Sequence, residues 1–192
     1  SMPEKIHLET SDGINIAGDF YPVAEINAPA IILLHMMPET KESWKSFAEK
    51  LNKVGFQALA IDLRGHGESD GGPDGFIKFS NEEHQASTKD VEAVADFFLR
   101  KGLTFGDIFL AGASIGANLA LQFQSEHSKI KASILLSPGL NYRDVETEPA
   151  AADIKENQSV FLTAGGKGDE YSTETAKKLL NMLKSKNKEI KI

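Results

Sequence analysis

Short unbroken apolar runs alternate with amphipathic stretches along this chain, and polar or glycine-rich segments separate them. Ala30 to Leu34 is continuously apolar, as expected of a strand buried on both faces. Phe56 to Ile61, Asp107 to Ala111, Ala132 to Leu136 and Ser159 to Thr163 read as further short strands, and Glu189 to Ile192 begins another. Between them the apolar positions recur at helical spacing. Trp44, Phe47, Ala48 and Leu51 share one stripe of a helix over roughly Ser43 to Lys53. Val91, Val94, Ala95, Phe98 and Leu99 form the inner face of a long helix that opens with the capping box Ser80-Asn81-Glu82-Glu83 and runs to Arg100. Leu119, Ala120 and Phe123 mark a helix from Ala117 to His127, and Ala176, Leu179, Leu180 and Leu183 mark one from Thr173 to Lys186. Near the start, Ile6 and Leu8 alternate, Ser11-Asp12-Gly13 turns, and Ile14 to Phe20 is extended again, which predicts a hairpin at one sheet edge. Val145 to Ile154 is acidic and short, with room for one helical turn.

Strands that alternate with helices predict a single α/β domain over residues 1–192, a mostly parallel sheet with helices on both faces. Such sheets bind ligands beyond the C-terminal ends of their strands. Five strands deliver polar or glycine-rich loops to that rim: His35 to Pro38, Asp62 to Ser69, Ser114, Ser137 to Gly139, and Asp169.

Composition narrows the function classes. The 192 residues are 41% hydrophobic and 26% charged, with a net charge of −7, and no basic stripe offers itself to nucleic acid. Without cysteine, disulfides, thiol catalysis and thiolate metal sites are excluded. The apolar segments are too short to span a membrane, Ser1-Met2 reads as the scar of a cleaved tag, and no signal peptide opens the chain, so a cytoplasmic location is expected. No pair of histidines or carboxylates has metal-ligand spacing, and the glycines at 65, 67, 165 and 166 lack the rest of a phosphate loop, so neither metal nor cofactor is expected.

The chemistry centres on Gly112-Ala113-Ser114-Ile115-Gly116. A strand runs into it and a helix leaves it, so Ser114 occupies a sharp turn at a helix N-terminus. Glycine at 112 and 116 lets strand and helix pass close to that turn. The Ile115 N–H then points at any oxygen beside Ser114, which is half of an oxyanion hole. The bland alternative is a tight turn around a buried serine.

Three stretches together resemble the α/β-hydrolase superfamily, and in particular small bacterial serine esterases of the dienelactone-hydrolase-like and serine-aminopeptidase-like type. His35-Met36-Met37-Pro38 is similar to the family's His-Gly-X-Pro loop, with Met36 in place of glycine. Asp62-Leu63-Arg64-Gly65-His66-Gly67-Glu68-Ser69 matches its Asp-X-Arg-Gly-His-Gly-X-Ser loop, and Gly112 to Gly116 matches its nucleophile turn. The resemblance implies an α/β-hydrolase fold with Ser114 as nucleophile and Asp169 as the acid, Glu170 being the alternative. It implies an oxyanion hole from the N–H groups of Met37 and Ile115, with Met36 as a fallback donor, and a cis bond at Met37–Pro38. His35 and His66 are structural in this reading, bonded to loop backbone. Dienelactone hydrolases proper use cysteine as nucleophile, so serine here points to the esterase side. The connection from Ser137 to Ser159 is too short for a separate cap domain.

The same resemblance places the catalytic histidine in a loop after the last strand. None of the five histidines fits: His127 is about 20 Å along its helix from Ser114, His7 is in the first hairpin, and His84 starts a lateral helix. The C-terminal end is therefore expected to be incomplete, lacking the closing helix and the histidine loop. An open sheet edge would invite pairing with a second copy, so a homodimer is a candidate state. The expected activity is cleavage of small carboxylic esters through an acyl-enzyme on Ser114. The alternative is a non-catalytic or truncated domain that acts as a binding module.

Overall fold

The computed structural model describes residues 2–183 and 188–192. Its centre is an eight-stranded sheet in the order β1-β2-β4-β3-β5-β6-β9-β10. The hairpin β1 (Glu4–Glu9) and β2 (Asn15–Tyr21) forms one edge, with β2 antiparallel both to β1 and to its inner neighbour β4. The others are parallel: β3 (Ala30–Leu34), β4 (Gln57–Ile61), β5 (Ile108–Ala113), β6 (Ala132–Leu136), β9 (Ser159–Thr163) and the edge strand β10 (Lys188–Lys191). Strands β3 and β4 are buried at every position, which is why they are apolar throughout except for Gln57, whose side chain donates to the Ala28 carbonyl.

Helices cover both faces. On one side α1 (Lys45–Lys53) lays Ala48 against Ile31, Leu33, Ala58 and Ala60. On the other, α3 (Thr88–Arg100), α4 (Ile115–Glu126) and α6 (Glu170–Met182) pack Val94, Phe98, Leu119 and Leu179 into a larger core with Ile32, Leu34, Leu110 and Leu162. Beyond α1, on its face, a groove of about 750 Å³ runs past Trp44, Phe47, Ile134, Leu136 and Phe161.

The structure departs from the sequence reading chiefly in three places, apart from shifts of a few residues at element ends. The helix expected from Ser80 to Arg100 is two: the capping box is present and opens α2 (Asn81–Gln85), but α3 begins only at Thr88. Between them the N–H groups of Ser87, Lys89 and Asp90 bond three residues back, a tighter turn that interrupts the helix. The acidic stretch before β9 holds a small hairpin, β7 (Asn141–Tyr142) and β8 (Val145–Glu146), followed by α5 (Glu148–Asp153). Its tip residues Arg143 and Asp144 both have positive φ, a conformation more often signalled by Asn-Gly or Asp-Gly. Helix α6 starts three residues earlier than expected, and the end placed at Lys186 lies outside the described residues.

Candidate active site

Ser114 stands between β5 and α4 with φ 55° and ψ −120°, a left-handed conformation that a non-glycine residue adopts only under constraint. The constraints are visible. Its N–H donates to the Leu136 carbonyl at 2.8 Å, and its own carbonyl accepts from Ala117 N at 2.9 Å and Asn118 N at 3.2 Å, which starts α4. A Cβ at Gly112 would collide with the Gly116 carbonyl, and one at Gly116 with the carbonyls of Leu34 and His35. The two glycines therefore let the start of α4 press against the ends of both β5 and β3. Ile115 is the first residue of α4, so its N–H has no acceptor within the helix.

The His35–Pro38 loop leaves β3 beside that turn, and Met37–Pro38 is cis. His35 is fully buried and both ring nitrogens are used. Nδ1 donates to the Met36 carbonyl and Nε2 accepts from the Leu63 N–H, each at 2.9 Å. A proton on Nε2 would face that N–H. Burial above all, with His66 nearby, lowers the His35 pKa from 6.5 to about 4. Between those values the unfolded chain binds a proton that the folded chain refuses. Stability is therefore complete above about pH 6.5 and falls by up to about 3 kcal/mol as the pH drops toward 4. His66, also buried and lowered, acts in the same direction. Urea unfolding at pH 7 and pH 4.5 checks this. A wild-type stability flat across that window, or an equal loss in His35→Gln, contradicts it.

The Asp62–Ser69 loop leaves β4 and is held by two ionic networks. Asp62 accepts from Lys41 N, Lys41 Nζ and Glu68 N. Arg64 donates through N and Nε to Asp90 and through both terminal nitrogens to Asp12. Sequence reasoning missed these partners. Asp90 carried a signal, being the one charge on the Val94–Phe98 stripe of α3; Lys41 carried none. His66 stacks on Phe76 at 4.2 Å between ring centroids and bonds the Arg64 carbonyl, so both rim histidines are structural here.

Asp169 is the residue before α6, on the loop from β9. Its Oδ2 accepts from Ser137 Oγ at 2.7 Å and from Gly165 N at 2.9 Å. The Gly165 N–H first, then the hydroxyls of Ser137 and Ser172, hold its carboxyl below the usual range. Glu170 instead turns back to its own loop, accepting from Gly168 N at 3.0 Å. Ser114 and Asp169 are joined through one dipeptide: Leu136 accepts from Ser114 N, and Ser137 donates to Asp169. Among the described residues, no imidazole bonds either of them. His127 ends α4 against Phe105 and Phe123, and His84 is buried in α2. No cluster of histidines and carboxylates among the described residues could hold a metal ion, and no helix there is long and apolar enough to cross a membrane.

Known proteins agree with this architecture. Est1E from Butyrivibrio proteoclasticus, solved with ferulic acid bound, superposes with a TM-score of 0.78 at 20% identity over 97% of this chain and 88% of that one. A soluble variant of monoglyceride lipase from Saccharomyces cerevisiae gives 0.74 at 16% identity over 100% and 85%. In sequence, epoxide hydrolase 2 of Siraitia grosvenorii is 33% identical over 139 residues, 70% of this chain and 39% of that protein. AB hydrolase superfamily protein YisY of Bacillus subtilis is 30% identical over 109 residues, 56% of this chain and 37% of that one. The chain thus spans 39% or less of the length of these curated relatives. The pattern of the family described as serine aminopeptidase, S33, matches residues 26–162. With the sheet order, the serine turn and this match together, the chain belongs to the serine aminopeptidase S33 family of α/β-hydrolases.

Proposed function

We propose that the protein is a serine hydrolase that cleaves small carboxylic esters through an acyl-enzyme on Ser114. The observation that carries this is the strained Ser114 turn, joined through Leu136-Ser137 to the Asp169 carboxylate. Ser114 Oγ attacks the ester carbonyl as a general base takes its proton. The resulting oxyanion turns toward the N–H groups of Ile115 and Met37. The base returns the proton to the leaving alcohol, and water then releases the acid by the same route. Asp169, kept anionic, orients the base and stabilises its charged form. None of the five histidines bonds Ser114 or Asp169 in this arrangement, so none of them is assigned as that base. Proton and acyl transfer by these groups require no cofactor.

The epoxide hydrolases among the relatives raise a second substrate class. Chemistry argues against it for Ser114. A serine that opened an epoxide would become an ether, which water does not cleave, whereas acylation gives an ester, which it does.

A fluorophosphonate probe tests the reading. Labelling of Ser114, located by peptide mass spectrometry and lost in Ser114→Ala, is the expected result. An unlabelled Ser114 in folded protein would favour a non-catalytic binding module.

A further inference from the structure

Ser137 is the first residue beyond β6, and its φ of 50° lies where glycine is the ordinary choice. Its backbone is fastened from three directions. The N–H donates to the Thr163 carbonyl at 2.7 Å. The carbonyl accepts from Tyr142 Oη on the small hairpin and from Ser172 Oγ on α6, each at 3.3 Å. This aims the side chain at Asp169. A carboxylate only accepts, so Ser137 Oγ is the donor in the 2.7 Å bond to Oδ2. The Gly165 N–H reaches the same oxygen. The Ser172 hydroxyl also acts on the carboxylate, after these two donors in strength.

Two short bonds to one oxygen fix the rotation of the carboxylate and turn its other oxygen away from them. We propose that Ser137 is the positioning residue of Asp169: with the Gly165 N–H it locks Oδ2 and presents Oδ1 to the N–H of the general base. The inference rests on the reading of Asp169 as the acid of the site. A hydroxyl at 137 has a second effect. By drawing charge toward Oδ2 it keeps the carboxylate ionised, so that Oδ1 stays an acceptor when the base gains its proton.

Ser137→Gly removes the hydroxyl and suits the backbone, so a loss in this variant does not come from strain. Ser137→Ala removes it and keeps the strained backbone, and the two must agree. The first readout is the titration of the Asp169 carboxyl carbon by NMR. Loss of a donor to a charged acceptor is expected to favour its protonation by about threefold to tenfold in both variants. The second is hydrolysis of an activated ester. Here kcat should fall by a similar factor with KM unchanged, and the acid limb of the pH profile should move up. In an Asp169→Asn background the same substitutions should cost nothing more. An unmoved titration overturns the proposal, whether or not turnover is measurable, as does an equal loss in the Asp169→Asn background. Full activity of Asp169→Asn itself would instead remove the reading of Asp169 as the acid.

Discussion

Alanine at position 114 is expected to lower kcat/KM for an activated small ester by about 10⁴-fold or more, with the fold unchanged. In serine hydrolases the loss of the nucleophile alone costs about as much as the loss of the whole triad, because the members act as a unit. What survives is binding and the oxyanion hole. The fold should not respond. The hydrogen bonds that hold this residue use its backbone: the N–H to Leu136 and the carbonyl to Ala117 and Asn118. The side chain makes no capping bond to α4, and alanine meets the same φ of 55° with the same Cβ. A matched thermal unfolding curve establishes this, and steady-state kinetics then read the chemistry alone. A variant that retains turnover within tenfold of wild type ends the acyl-enzyme account, whatever the probe labels.

Strands β3, β6 and β9 were legible to the residue, because polar or glycine-rich segments bound their short runs, although among them only β3 is buried at every position while β6 and β9 alternate buried and half-buried residues. The two glycines of the serine turn were legible as well, since a close approach of backbone to backbone excludes a Cβ. The break between α2 and α3 was not. Its cause is a switch to hydrogen bonds three residues back around Ser87, and the polar stretch from Asn81 to Asp90 has no apolar stripe to show where one helix stops and the next begins. Hairpin β7–β8 was hidden because two-residue strands have no period. Its place depends on tertiary bonds, such as Asn118 on α4 to the Val145 carbonyl and to the Gly139 N–H. Ser137 was visible as a rim residue, but its bond to Asp169 joins positions 32 apart in sequence.

Such long-range bonds explain how the loops form one site. Taken in sheet order, the C-terminal ends of β4, β3, β5, β6 and β9 are stitched pair by pair. Leu63 N–H reaches His35 between β4 and β3. Gly116 sits on the Leu34 and His35 carbonyls between β3 and β5. Ser114 N–H reaches Leu136 between β5 and β6, and Ser137 N–H reaches Thr163 between β6 and β9. Displacement at one pair is expected to strain the next. A change remote from Ser114 can therefore alter its turn, which gives the buried ionic network a functional reading beside its structural one.

Lys41→Met carries the largest expected effect on stability, a loss of about 3–5 kcal/mol. Lys41 is only 1% exposed, and its Nζ donates to Asp62 at 2.8 Å, Glu68 at 2.6 Å and Glu42 at 3.1 Å. Asp62 has no solvent exposure at all. Removing the ammonium leaves that carboxylate charged, dry and held only by the backbone N–H groups of Lys41 and Glu68. Methionine fills much of the volume, so the cost arises from the orphaned charge and not from a cavity. Glu68→Gln is the contrast, since the Glu68 side chain is 68% exposed and its pair is screened by water; it should cost less than about 1 kcal/mol. Adding Asp62→Asn to Lys41→Met should cost less than the two single losses summed, because a neutral residue at 62 leaves no charge to orphan. Urea unfolding of the four variants measures each quantity. A Lys41→Met protein within 1 kcal/mol of wild type would mean that water or another cation reaches Asp62. Full additivity in the double variant would mean that the two side chains act independently. Because Lys41 follows the Met37–Pro38 loop and Asp62 opens the Arg64–His66 loop, Lys41→Met should also loosen the backbone donor assigned to Met37. That loss appears in kcat at temperatures where the variant is still fully folded.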